Sequence, residues 1–205
     1  MLPFAGSLDP REAAVSLALD PKTTVVLVMD YQNGVVPYVT GAEALFARAA
    51  GALDACRRAQ LPIIYVVVGF RPGYPEVSPQ NAMFAALRTH GRFVSGTPDT
   101  QVPATVAPRE GETVITKKRV SAFAGSDLEV LLRAHGATTL VMMGIATSGV
   151  VLSTLTQAVD LDYRCLVIKD CCADRDDELH RVLTEKYFPG RGTVLTAQDL
   201  IAQLG

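Results

Sequence analysis

Three polar stretches in this 205-residue chain each follow an apolar run, and each carries a side chain able to do acid–base or electrostatic work. Asp30-Tyr31-Gln32-Asn33-Gly34 follows a β-branched run over residues 23–29. Lys117-Lys118-Arg119-Val120-Ser121-Ala122-Phe123 follows a second run at 113–116, and Gly144-Ile145-Ala146-Thr147 a third at 139–143. A carboxyl group beside an apolar strand end loses water, so its pKa rises and it can take or give a proton near neutrality. Asp30 is the candidate for that role; the alternative for the same residue is a turn or helix cap. The histidines His90, His135 and His180 are far apart, and Cys56, Cys165, Cys171 and Cys172 show no CxxC spacing. Neither a zinc site nor a disulfide framework is expected, and the adjacent Cys171 and Cys172 are read as buried small hydrophobes.

The elements that would position these residues follow from the hydrophobic pattern. Short β-branched runs at 23–29, 62–68, 113–116, 139–143, 164–168 and 193–195 alternate with helical stretches at 42–60, 127–135, 147–161, 176–188 and 197–204. This rhythm predicts six buried strands in a parallel sheet with helices on its faces. Gly136 is placed to cap the helix that ends at His135. Residues 69–112 break the rhythm with Pro72, Pro75, Pro79, Pro98, Pro103 and Pro108 among several glycines. Such an excursion is expected to cover a site at the carboxyl edge of the sheet. In open α/β sheets ligands bind outside the carboxyl ends of the strands, where strand order reverses.

Taken together, D-x-Q at Asp30, K-x-x-x-S-A-F at Lys117 and G-x-x-T at Gly144 to Thr147, continued as Val150-Val151-Leu152-Ser153-Thr154, resemble the isochorismatase-like hydrolase superfamily. The resemblance runs from about Thr23 to about Ile201 and rests on the three motifs occurring in order. It implies an α/β fold, a three-layer α/β/α sandwich with a six-stranded parallel sheet in the Rossmann-like order 3-2-1-4-5-6. An N-terminal arm is expected over residues 1–22, followed by a single hydrolase domain over 23–205. Most of the superfamily looks like a Cys-Asp-Lys hydrolase; here the cysteine position holds Val150, and valine cannot form an acyl-enzyme.

The resemblance also implies residue roles. Lys117 aligns with the family lysine and would hold Asp30 and stabilise developing negative charge. Gln32 would bind substrate or orient water, with a structural amide as the alternative. Arg119 matches an arginine of the isochorismatase branch and Arg71 opens the excursion; either offers a bidentate fork for a carboxylate, and either can equally be a surface ion pair. A cis peptide is expected at the Ala146-Thr147 bond, with Ala146, Thr147 and Val150 against the substrate. Ser148 and Ser153 lie off the nucleophile position. The D-x-H pattern that gives some relatives a metal is absent, so no metal and no other cofactor is expected.

Two enzyme readings and one binding reading follow. In the leading one, Asp30 protonates an enol-ether carbon, water adds to the oxocarbenium ion, and the hemiketal collapses to pyruvate and an alcohol, as the cysteine-free isochorismatase branch does. The second is an amidase-type hydrolysis by Asp30-activated water. The third is a scaffold that keeps the pocket without the chemistry. The expected partner is a small molecule. With a formal net charge of −2 and scattered Lys and Arg, no basic stripe is available for nucleic acid. No run reaches the roughly 18 apolar residues of a membrane span. A cytoplasmic homodimer or larger homo-oligomer is the expected setting.

Overall fold

The computed structural model describes residues 19–205. Most of the expected N-terminal arm lies outside these residues. Six strands, β1 (Thr24–Met29), β2 (Ile63–Val68), β3 (Thr113–Lys117), β4 (Thr139–Ile145), β5 (Arg164–Ala173) and β6 (Thr193–Leu195), form one parallel sheet. Their order is β3-β2-β1-β4-β5-β6, as expected. β1, β2 and β4 are buried at every position, which is why they read as unbroken apolar runs rather than as alternations.

Strand periodicity divides the core in two. On one face Val25, Leu27 and Met29 pack with Leu128 and Leu132 of α3 (Leu128–His135) and Leu155 and Ala158 of α4 (Leu152–Asp160). On the other, Val26 and Val28 meet Leu45, Ala49 and Leu53 of α1 (Ala42–Arg58) and Leu200 of α6 (Ala197–Leu204). Each fully buried aliphatic side chain contributes about 1.5–3 kcal/mol relative to exposure, so the two clusters fix the three layers. Gly136 takes the left-handed conformation (φ 71°) that the helix cap requires.

Three elements differ from expectation. The run over 164–168 continues to Ala173, because a bulge between Met142 and Gly144 lets β5 carry the half-buried Lys169 and Asp170 before pairing Cys172 with Gly144. The helix over 147–161 begins instead as a π turn, Thr147–Val151, and only then becomes α4. The stretch 176–188 is α5 (Asp177–Val182) followed by a second π turn, Leu183–Tyr187.

The excursion is ordered and contains an unexpected helix, α2 (Ala82–Thr89), whose N-cap Asn81 accepts from the Phe84 amide at 3.4 Å. Its side chains build a small core of their own from Phe70, Tyr74, Val77, Phe84 and Phe93 on Val68. This core fixes the excursion above the carboxyl ends of β1–β3. Among the described residues no helix is long and apolar enough to cross a membrane.

Candidate active site

Strand order reverses between β1 and β4, where Met29 pairs with Gly144. A Cβ on Gly144 would lie 2.6 Å from the Met29 carbonyl oxygen, so glycine is what allows the two strands to close at this point. Asp30 is the next residue after β1. It adopts φ 54°, a conformation that aspartate tolerates better than most side chains, and its N–H donates to the Val66 carbonyl at 2.8 Å.

The Asp30 carboxyl is buried, with Oδ2 2.9 Å from Lys117 Nζ. Lys117 is the last residue of β3, two strands away from β1. That separation is roughly 9–10 Å at normal strand spacing, a distance that needs a side chain as long as lysine. Nζ also donates to the carbonyls of Arg119 at 2.9 Å and Val120 at 3.1 Å, so the three protons of the ammonium have three acceptors. Asp30 Oδ1, by contrast, is buried and has no hydrogen-bond partner. Burial pushes the Asp30 pKa above its ordinary 3.8, against the opposing pull of Lys117.

A cavity of about 210 Å³ opens onto this pair. The strand ends and the loop after β4 supply Asp30, Lys117, Ile145, Ala146, Gly149 and Val150 to its lining. The excursion supplies the apolar cover through Met83, Phe84, Leu87 and Phe93. A larger open groove of about 920 Å³ lies at the amino ends of β1–β3, and there Arg57 and Glu112 satisfy one another through bonds of 2.7 and 2.9 Å. Convergent reactive groups and the strand-end rule both select the smaller cavity.

The other residues singled out in the sequence are placed as follows. Gln32 is fully buried; its amide donates to the Val68 carbonyl at 2.9 Å and the Thr100 carbonyl at 3.1 Å and accepts from Val68 N–H at 2.8 Å. It ties β1, β2 and the excursion together and does not line the cavity. Arg71 is exposed and pairs with Glu76 at 2.6 Å, away from Asp30. Arg119 donates to the Lys118 carbonyl at 2.6 Å and the Glu76 carbonyl at 3.0 Å, with its guanidinium 5.4 Å from the Phe84 ring centre. Neither arginine lines the cavity. Lys118 is turned inward to the Gly69 carbonyl at 2.6 Å.

The cis peptide lies at Ile145-Ala146, one bond before the expected Ala146-Thr147, because β4 runs through Ile145 and the chain leaves the strand there. Thr147 is fully buried and does not face the cavity; its hydroxyl is 2.8 Å from His180 Nδ1. The Ser148 N–H donates to buried Asp174 at 2.7 Å. Burial holds the His180 pKa below 6.5 despite Asp174 and Asp177 nearby. The contribution of His180 and Asp174 to this loop was missed in the sequence, where nothing in their spacing links them to Thr147. Cys56, Cys165, Cys171 and Cys172 are all buried, and none lines the cavity. No cluster of His, Cys, Asp and Glu able to hold a metal occurs among the described residues.

Comparison with known proteins places the chain in a family. Residues 24–199 match the isochorismatase domain. The chain is 34% identical over 188 residues to ureidoacrylate amidohydrolase RutB of Methylobacterium radiotolerans, covering 80% of this chain and 73% of that one. It is 28% identical over 184 residues to maleamate amidohydrolase of Pseudomonas putida, covering 87% and 85%. A cysteine hydrolase from Pseudomonas syringae pv. phaseolicola shares the fold with a TM-score of 0.83 at 21% identity, over 90% of this chain and 93% of that one. With residues 24–199 matched by the isochorismatase domain, a relative 34% identical over most of both chains and the shared sheet fold, the protein belongs to the isochorismatase family of hydrolases.

Proposed function

We propose that this protein hydrolyses a small amide by direct attack of water, with Asp30 as the catalytic acid–base and no acyl-enzyme. The observation that carries the reading is the buried, unpartnered Oδ1 of Asp30 beside a small cavity, with Oδ2 held by Lys117. An ionised carboxylate with one oxygen anchored and the other free is arranged to take a proton from a water molecule in the cavity. As the water oxygen bonds to the amide carbon, its proton passes to Oδ1. The tetrahedral intermediate then expels the nitrogen, which takes that proton from Asp30, and a carboxylic acid and an amine or ammonia remain. Lys117 orients Asp30 and balances its charge, and the backbone of the 146–150 loop provides the polar wall toward the oxyanion.

In the resemblance carried by the Gly144–Thr154 segment Val150 falls at the nucleophilic cysteine's position, and this is why water rather than a thiolate is assigned the attack. Two of the similar proteins just described are amidohydrolases by name, which favours C–N cleavage over the enol-ether cleavage expected first. Two residues that suggested the enol-ether branch, Gln32 and Arg119, are engaged with backbone carbonyls outside the cavity. Proposed substrate contacts are therefore Ala146, Gly149 and Val150, with Thr147 acting behind the loop.

The test is an assay of the protein and its Asp30→Asn variant with isochorismate and a panel of small amides, following pyruvate and ammonia separately. Ammonia release that vanishes in Asp30→Asn supports the reading. Asp30-dependent pyruvate would return the enol-ether reaction to first place, and tight ligand binding without turnover would favour a binding protein.

A further inference from the structure

Among the described residues Lys117 is the one cation that lines the cavity, and its three protons are directed at Asp30 Oδ2 and the carbonyls of Arg119 and Val120. No N–H of that ammonium is left for a second anion. The nearest other guanidiniums stay outside the lining. Arg119 sits over the Phe84 ring and donates to two carbonyls. Arg92 sits 5.3 Å from the centre of the Phe93 ring and is tied to Asp99 at 3.3 Å and the Gly34 carbonyl at 3.0 Å.

Beyond Asp30 and the backbone of the 146–150 loop, the wall is apolar. Val35, Val68, Leu87 and Val120 join the two phenylalanines, and the exposed Met83 and the ring of Tyr38, whose hydroxyl accepts from Arg92 at 3.4 Å, continue the surface outward. At about 210 Å³ the space is smaller than the roughly 300–1,000 Å³ of drug-sized sites. A substrate carboxylate here would exchange its hydration for hydrocarbon and would lie near the Asp30 carboxylate, with like charges opposed at low dielectric.

From this lining we infer that the substrate is an uncharged amide bearing a short apolar group, in contrast to a half-amide that carries a free carboxylate. The inference rests on the amidase reading and goes further by assigning the substrate class. The apolar group occupies the space beneath Phe84, Leu87 and Phe93, while the amide carbon faces Asp30. Discrimination comes from the missing cation: a carboxylated analogue of the same size finds no free cationic group in the cavity.

The experiment compares pentanamide with succinamate, two primary amides of similar size that differ in charge. Ammonia release is measured with the wild-type protein, Asp30→Asn and Met83→Arg, and binding of both compounds is followed by thermal shift. The expected kcat/KM for pentanamide exceeds that for succinamate by about tenfold or more, the penalty of an unpaired buried charge. Met83 is exposed at the cavity mouth, so Met83→Arg keeps the fold while supplying a cation, and it is expected to narrow or reverse the preference. Equal or better turnover of succinamate by the wild-type protein would overturn the substrate class and leave the amidase reading intact. Absence of Asp30-dependent ammonia from both compounds would overturn the amidase reading. Thermal shifts then still decide the apolar preference: stabilisation by pentanamide alone upholds it, and stabilisation by succinamate as large or larger overturns it.

Discussion

Lys117 Nζ holds one oxygen of the Asp30 carboxylate at 2.9 Å while the other oxygen is buried and has no partner. The two residues come from strands separated by β2, and their pairing spans the end of that strand at Val68, the register partner of Lys117. One end of the carboxylate is thereby fixed and the other is left without a partner.

The pH dependence of kcat/KM should show an acid limb above the ordinary aspartate value of 3.8, because burial raises the Asp30 pKa and a general base must be ionised. Lys117→Met removes the charge that opposes this rise, so the limb moves further up. Activity at neutral pH is expected to fall about a hundredfold. The linked stability has a definite sign: a carboxyl whose folded pKa exceeds its unfolded one contributes most below the unfolded value, and that contribution is lost as pH rises through the folded pKa. Rate–pH profiles and urea titrations at several pH values check both statements; an acid limb at or below 3.8 would remove Asp30 from the base role.

Val150→Cys places a thiol in the lining of the same cavity as Asp30 and Lys117. The natural thiols are buried, with those of Cys56, Cys165 and Cys172 pushed up to about 12. Iodoacetamide should leave the native protein active and should label Val150→Cys at that one position, as read by mass spectrometry. Inactivation of the unmodified protein by the reagent would show that a native thiol takes part.

Gln32→Leu keeps the volume but leaves the Val68 N–H and the carbonyls of Val68 and Thr100 without their partner. The expected loss is about 3 kcal/mol, roughly 6–12 °C in Tm. A thermal melt within a degree of the native protein would show that water replaces the amide there.

Two glycine-to-alanine changes should have opposite signs. At Gly144 the added methyl meets the Met29 carbonyl at 2.6 Å, and closing the β1–β4 gap should cost about 2–3 kcal/mol along with activity, since Asp30 follows Met29. Gly51 lies exposed within α1 with nothing near the added carbon, and alanine should stabilise by about 0.5–1 kcal/mol. Chemical denaturation of the two variants tests both.

The local hydrophobic pattern is enough to specify the sheet. The apolar runs in β1, β2 and β4 are unbroken because helices cover both faces, and that signal survives without any knowledge of neighbours. The resemblance carried by Asp30, Lys117 and the Gly144 loop supplied the strand order, and the observed order agrees with it. The helix α2 was hidden by the prolines and glycines around it, since local composition dominates a reading made one window at a time. The bulge in β5 and the two π turns were also hidden, because they answer to packing rather than to local preference.

Tertiary structure alone decided what each polar side chain touches. Gln32 and Arg119 carry hydrogen-bonding groups that suit a substrate as well as a backbone carbonyl, and residue type does not distinguish these uses. Their partners, Val68, Thr100 and Glu76, lie tens of residues away in the chain. The same holds for His180, whose bond to Thr147 joins α5 to the loop after β4. A hydrogen bond depends on distance and direction to within a few tenths of an ångström, and those are set by how layers pack. Hydrophobic periodicity is written locally along the chain, whereas the free oxygen of Asp30 exists only once β1, β3 and the excursion have closed around it.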